Sequence, residues 1–318
     1  MKQEISKLYD KKILLLGGTG LAGSAIKNEL EKNKIDFASP LRFELDLFSK
    51  KNIIEYIKDL HIDMIINAAA KVGGIYANIN NPIDFYYENS VIQDNVIYAM
   101  VKSNIKKIVF LSSACIYPQN DMIIPEFENN DLSYDNLHKT NLGYTLAKKN
   151  HIELLKMVNE KYDIDFLYLI ICNLFGINDN FSDESSHFIP IIMKRLHEAK
   201  QQNKKVLNLY CAKDIYREFM FNHDFANNFI NLINIFDFKN DYINFGSGLE
   251  YDLYELIFKI NEIVQFKGEI LIEEPKVVGN KRRIMNIDFL KSKIEIKNSS
   301  IEESLRITYE THFKNNLI

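Results

Sequence analysis

Short runs of continuous apolar residues, each ending at small or polar residues, alternate with longer helix-like stretches through the first half of the chain. "KKILLLGG" (residues 11–18), "DMIINAAA" (63–70), "KKIVFLSS" (106–113) and "DFLYLIICN" (165–173) are four such runs. Continuous rather than alternating apolarity suits strands covered on both faces, as in a parallel sheet. Between them, residues 19–33, 85–103 and 142–160 carry the longer period of helices. This alternation predicts an α/β fold, a doubly wound parallel sheet.

After residue 176 the pattern loosens. "INDNFSDESSHFIP" (177–190) reads as a polar loop and "MKRLHEAKQQNKK" (193–205) as a charged surface helix. The strand-like "YINFGSG" (242–248) and a helix over 253–264 imply that the chain returns to the sheet before ending in a smaller lobe. The expected division is a dinucleotide-binding domain of residues 1–175 plus 220–248, and a C-terminal substrate lobe of 176–219 plus 249–318. No repeat or low-complexity linker separates them, so the two are expected to share a cleft.

Composition narrows the function. The 318 residues are 47% hydrophobic, enough for a sizeable core, and the net charge of -4 advertises neither nucleic acid nor an anionic membrane as partner. Cys115, Cys172 and Cys211 are odd in number and widely spaced, which fits neither a disulfide framework nor a metal site. No leader-like stretch and no apolar run of roughly 18 residues is present. A soluble, cytoplasmic protein is expected.

Gly17, Gly20 and Gly23 follow the first strand with spacing G-x-x-G-x-x-G, and Leu21 opens the next helix. Glycines there allow a tight turn and close approach of a pyrophosphate, and the helix offers free N–H groups to the phosphates. Ala68, Ala69 and Ala70, ending a later strand, are expected to line the same cofactor. In "DFASPLRFELDL" (36–47), Asp36 precedes the second strand while Ser39 and Arg42 fall near its end. An acidic residue at that end would hold a ribose 2′-hydroxyl. Arg42 could instead pair with a 2′-phosphate, or be a solvated loop residue; the first reading predicts NADP(H). Asp46 and Leu47 are placed to contact the adenine.

"YTLAK" sets Tyr144 and Lys148 four residues apart, on one face of a helix. An ammonium nearby favours a phenolate and is expected to lower the tyrosine's pKa. Such a phenol can give a proton to a carbonyl oxygen as hydride reaches the carbon. Ser113, ending a strand, supplies a hydroxyl to orient that carbonyl. Cys115, two residues on, suits a small core residue as well as a reagent.

Taken in order, the glycine turn, "NAAAKVGGIYAN" (67–78), "FYYENSVIQDNVI" (85–97), "SSACIYP", "YTLAK", "NLFGINDNF" (173–181), "SHFIP" (186–190) and "REF" (217–219) resemble the GDP-L-fucose synthase family of extended short-chain dehydrogenase/reductases. The resemblance runs almost to the C-terminus. It implies a Rossmann-type fold, NADP(H), a GDP-4-keto-sugar substrate and a homodimer in which residues 85–103 and 142–160 pair across a four-helix interface. Residue by residue, it implies that Ser113, Tyr144 and Lys148 are the reductive triad. Cys115 is implied as the base for epimerisation at C3 and C5, and His187 as its partner acid. Arg195 and Arg217 match positions at the diphosphate, and Asn173 and Leu174 lie in the stretch beside the nicotinamide. Arg217 could instead be structural, paired with Glu218. His138, His151 and His223 have no constellation and read as structural.

The chain departs from the family at three places. Gly18 and Thr19 replace a His-Arg pair in the glycine turn, Tyr210 stands for a tryptophan facing the substrate, and Val278 replaces an acidic substrate contact. These departures leave the sugar open between a 6-deoxyhexose and a heptose. Three other readings stand beside this: reduction without epimerisation, a nucleotide-sensing protein without turnover, and an enzyme recycling tightly held NAD.

Overall fold

In the computed structural model, residues 8, 10–118, 137–275 and 281–314 are described. Val278, a departure noted above, lies outside the described residues. Four apolar residues with no polar face place strand β1 (Ile13–Leu16) in mid-sheet, where all four are buried. Each such side chain contributes roughly 1.5–3 kcal/mol of burial. After helix α1 (Leu21–Lys32) comes β2 (Phe37–Ala38), which pairs with one side of β1. Helix α2 (Lys50–Leu60) then carries the chain across to β3 (Met64–Asn67), which pairs with the other side. A short helix α3 (Ile75–Asn80) and a long α4 (Pro82–Lys102) precede β4 (Lys107–Ser113). Helix α5 (Leu142–Tyr162) precedes β5 (Asp165–Ile171).

Beyond β5 run β6 (Asn173–Phe175), α6 (Phe188–Gln201), β7 (Val206–Tyr210), β8 (Tyr216–Phe221) and α7 (Asn222–Ile235). Then come β9 (Asn240–Phe245), β10 (Glu250–Asp252), α8 (Leu253–Val264), β11 (Glu269–Glu273), β12 (Arg282–Arg283), α9 (Asp288–Lys293) and α10 (Ile301–Phe313). The main sheet has the order β2-β1-β3-β4-β5-β9 and every pairing in it is parallel. All its strands therefore end on one edge. The order reverses between β1 and β3, and at such a switch point a crevice opens that holds nucleotides. The anticipated doubly wound sheet is present.

A second assembly centres on β8, which pairs with β6 and β12 in parallel and with β10 antiparallel. A parallel pair, β7 with β11, stands apart. Two apolar clusters follow this layout. One is built on the main sheet with α1, α4, α7 and α9; the other joins α6, α8 and α10 with Phe219 and Phe221 of β8. Glu218, immediately before Phe219 in sequence, faces the other way: its buried carboxylate accepts from the N–H groups of Gly248 at 2.8 Å and Met285 at 3.1 Å. It stitches three segments together through backbone amides. No helix among the described residues is long and apolar enough to cross a membrane.

Candidate active site

The glycine turn forms at the edge where β1 and β3 end. Gly17 has φ +80°, and a Cβ there would meet the Ala68 carbonyl carbon and Ala69 nitrogen, each at 2.7 Å. A Cβ on Gly23 would lie 2.1 Å from the Gly17 carbonyl oxygen. Any larger residue would push the turn off the sheet or the helix off the turn. Helix α1 starts at Gly20 with no side-chain cap and no acid in its first turn, so its leading N–H groups, from Leu21 onward, are left for an anion. Ala68, Ala69 and Ala70 line the same edge, half-buried.

Beyond β2, Ser39 packs against Gly18, while Asp36 stands exposed at the strand's other end. Among the described residues, the two that directly follow β2 are Ser39 and Pro40, neither of them acidic. Arg42 is exposed in the turn that follows. Asp46 accepts from the Phe48 N–H at 2.9 Å, and the Leu47 carbonyl accepts from Asn95 at 3.0 Å, which fixes that loop against α4.

Helix α5 organises the end of β4. Lys148, 2% exposed, donates to the Leu111 carbonyl at 2.9 Å; Thr145 donates to the Cys115 carbonyl at 3.3 Å; Lys149 donates to the Ile116 carbonyl at 3.1 Å. Three side chains of one helix thus hold the strand end and the 3-10 turn Ala114–Ile116. The Ser113 hydroxyl oxygen accepts from the Cys115 N–H at 3.4 Å, leaving its proton to be donated elsewhere. Lys148 Nζ lies 5.7 Å from the centre of the Tyr144 ring. Ser113, Cys115, Tyr144 and Lys148 are therefore gathered at one strand end.

The electrostatics differ from the expectation. Burial pushes the Tyr144 phenol well above its ordinary value, with Cys115 and Tyr168 adding to the shift. Burial also brings Lys148 down to about 8, so the ammonium expected to depress the phenol still holds its proton at neutral pH but is itself disfavoured by the same desolvation. Desolvation wins over attraction. Tyr144 consequently keeps its proton at neutral pH, which is the state a proton donor requires.

His187 caps the start of α6 by position, without a side-chain hydrogen bond. Its ring is open to solvent, yet enough protein surrounds it that desolvation lowers its pKa. The loop before it is seated on α3: the Gly74 N–H donates to the Ser185 carbonyl at 2.9 Å. Arg195 lies half-buried two turns along α6, and Tyr210 is 53% exposed at the end of β7. Asn173 begins β6 and donates to the Glu218 carbonyl at 3.0 Å; Leu174, beside it, is buried. Arg217 donates to the Tyr216 carbonyl at 2.7 Å and sits in register with Arg283. Arg283 was not singled out from sequence. Its guanidinium interacts electrostatically with both Cys115 and His138, which places it near the end of β4.

The sequence profile of the NAD dependent epimerase/dehydratase family matches residues 13–246. The GDP-L-colitose synthase of Yersinia pseudotuberculosis is 35% identical over 284 residues, spanning 86% of this chain and 89% of that one. The GDP-L-fucose synthase of Escherichia coli (strain K12) is 31% identical over 314 residues, spanning 96% and 97%. Among solved structures, the GDP-mannoheptose C4 reductase of Campylobacter jejuni with NADP bound superposes with a TM-score of 0.81 at 25% identity, covering 96% of this chain and 98% of that one. The glycine cradle, the strand-end serine and the Tyr144–Lys148 pair agree with these likenesses: the chain belongs to the NAD dependent epimerase/dehydratase family and, within it, to the GDP-L-fucose synthase family of extended short-chain dehydrogenase/reductases.

Proposed function

We propose that this enzyme reduces the C4 ketone of a GDP-4-keto-sugar with NADPH and epimerises C3 and C5 of the same substrate. The observation that carries the reading is the gathering of Ser113, Cys115, Tyr144 and Lys148 at one strand end by helix α5. NADP(H) is favoured by the non-acidic Ser39 and Pro40 directly after β2, by Arg42 in the turn that follows, and by the relative solved with NADP bound. Gly17, Gly20, Leu21, Gly23 and the Ala68–Ala70 edge would hold the dinucleotide, Asp46 and Leu47 its adenine end, and Asn173 and Leu174 its nicotinamide end. When bound, it supplies the hydride for C4.

The chain's own residues do the rest. A C4 ketone acidifies the hydrogens at C3 and C5, because the electron pair left on carbon is held as an enolate. Cys115, as thiolate, takes a proton from one face of the carbon, and His187 returns one to the opposite face. Ser113 and the protonated Tyr144 donate hydrogen bonds to the enolate oxygen. In the reductive step Tyr144 passes its proton to that oxygen. Arg195 and Arg217 would bind the diphosphate and Tyr210 would form a wall of the sugar site.

Reaction with GDP-4-keto-6-deoxy-mannose and NADPH in deuterated water tests the reading. Carbon-bound deuterium at C3 and C5 of a reduced product is expected. Reduction without deuterium would make the enzyme a C4 reductase with an idle Cys115. No reaction would favour a heptose, the substrate named for the Campylobacter relative. The exposed Ile83, Tyr87 and Tyr98 of α4 and Met157 of α5 fit a homodimer through these helices. Sedimentation as a monomer at micromolar concentration would overturn that part.

A further inference from the structure

His138, which sequence reading leaves structural, stands next to the reductive cluster in an incomplete hydrogen-bonding arrangement. It lies just before the turn Lys139–Asn141 that leads into α5, and it is 8% exposed. The Thr140 N–H donates to its Nδ1 at 3.3 Å, and the Thr140 hydroxyl lies 2.6 Å from the same atom. A nitrogen that accepts a backbone N–H carries no hydrogen of its own, so in neutral His138 the ring proton is on Nε2. That Nε2–H is buried and has no acceptor among the described residues. A buried donor left without a partner costs about 1–3 kcal/mol and calls for an explanation.

The surroundings indicate what is missing. Arg283 and Arg217 both act on His138 and, after burial, hold its pKa down, so the ring stays neutral at physiological pH. Strand register puts the two arginines side by side, on β12 and β8. Arg283 is half-buried, with no acceptor for its guanidinium among the described residues, and also acts on Cys115. The two charged groups that act on His138, the Arg283 and Arg217 guanidiniums, are donors like its own Nε2–H, so neither supplies the oxygen it lacks. The spot adjoins the thiol that the proposed chemistry places against the sugar ring.

We propose that His138 is a substrate-binding residue, donating its Nε2–H to an acceptor oxygen of the nucleotide-sugar that enters between Arg283 and Cys115. This rests on the GDP-sugar reading above. The oxygen could belong to the sugar or to the diphosphate, since both accept hydrogen bonds. Selection of the substrate would then depend in part on where that oxygen sits, because a neutral donor with fixed tautomer rejects a ligand that leaves it unpaired.

The test is calorimetric titration of GDP and of GDP-mannose into the full-length enzyme and into His138→Asn and His138→Gln. Glutamine can present an N–H near the position of Nε2, whereas asparagine is too short. Asparagine is expected to weaken GDP-mannose about five- to tenfold and glutamine to restore most of the loss. GDP affinity unchanged in the asparagine variant assigns the oxygen to the sugar; equal weakening of both ligands assigns it to the diphosphate. Unaltered binding of both ligands in the asparagine variant overturns the proposal, with NADPH titration checking that each variant is folded. Should the unaltered enzyme bind neither GDP nor GDP-mannose, the GDP-sugar reading itself falls, and this proposal with it.

Discussion

The N–H of Gly74 donates to the carbonyl of Ser185 at 2.9 Å, joining the start of α3 to the loop that delivers His187. There is no room for a side chain in this contact: a Cβ on Gly74 would lie 2.5 Å from the Ser186 carbonyl oxygen. The backbone at Gly74 has φ -63°, which any residue can adopt. The need for glycine is therefore one of close approach and not of conformation.

Gly74→Ala is accordingly expected to push the 185–187 loop away and to destabilise the protein by about 1–3 kcal/mol. Since His187 moves with the loop while the β4 end does not, exchange at C3 and C5 should fall well below the rate of C4 reduction. Deuterium incorporation measured beside NADPH consumption would check this. Equal loss of both rates would argue that the loop serves the whole site.

Cys115→Ser separates the two halves of the proposed chemistry in another way. The hydroxyl is nearly isosteric but far less acidic than the thiol, so it cannot serve as a base at neutral pH. Exchange at C3 and C5 should drop about a hundredfold or more. Reduction of a substrate already in the product configuration should persist, because Ser113, Tyr144 and Lys148 remain held by their own contacts. A variant that still exchanges at the original rate would return Cys115 to a packing role.

The strands β1, β3, β4 and β5 were legible because each is an unbroken apolar run covered on both faces, a pattern that no surface element produces. Ser113, Cys115, Tyr144 and Lys148 were legible from spacing and from the resemblance. The sign of the Tyr144 shift was not, because spacing places Lys148 near but cannot say how completely both groups are desolvated. Arg283 stayed hidden for a different reason: β12 is two residues long, and only its pairing with β8 brings it to Arg217. His138 was passed over because its significance lies in an absent acceptor, and absence has no sequence pattern.

Arg42→Ala tests the cofactor choice. Its side chain is exposed, so its removal should leave stability within about 0.5 kcal/mol. If it meets the 2′-phosphate, the KM for NADPH should rise about tenfold while that for NADH stays constant. A parallel change for both cofactors would mean that Arg42 contacts some part they share, and no change would leave Ser39 and its neighbours to set the preference.

Lys148 links activity to pH, and the sign can be worked out. Burial lowers its folded pKa from 10.5 to about 8, so the fold disfavours the charged form. Below about 8 both the folded and the unfolded chain hold the proton, and the cost of burying the ammonium is fully present. Between about 8 and 10.5 the folded chain has released its proton while the unfolded chain still holds it, and that cost is progressively relieved. The contribution of this site to stability therefore rises with pH over that window. Catalysis should run the other way: if the ammonium is needed beside Tyr144, kcat/KM for reduction falls as pH climbs through about 8. Lys148→Met should abolish most reduction and remove this site's contribution to the alkaline rise in thermal stability. A pH–rate profile of the native enzyme that stays flat from pH 7 to about 10 would show that the charge on Lys148 is not required.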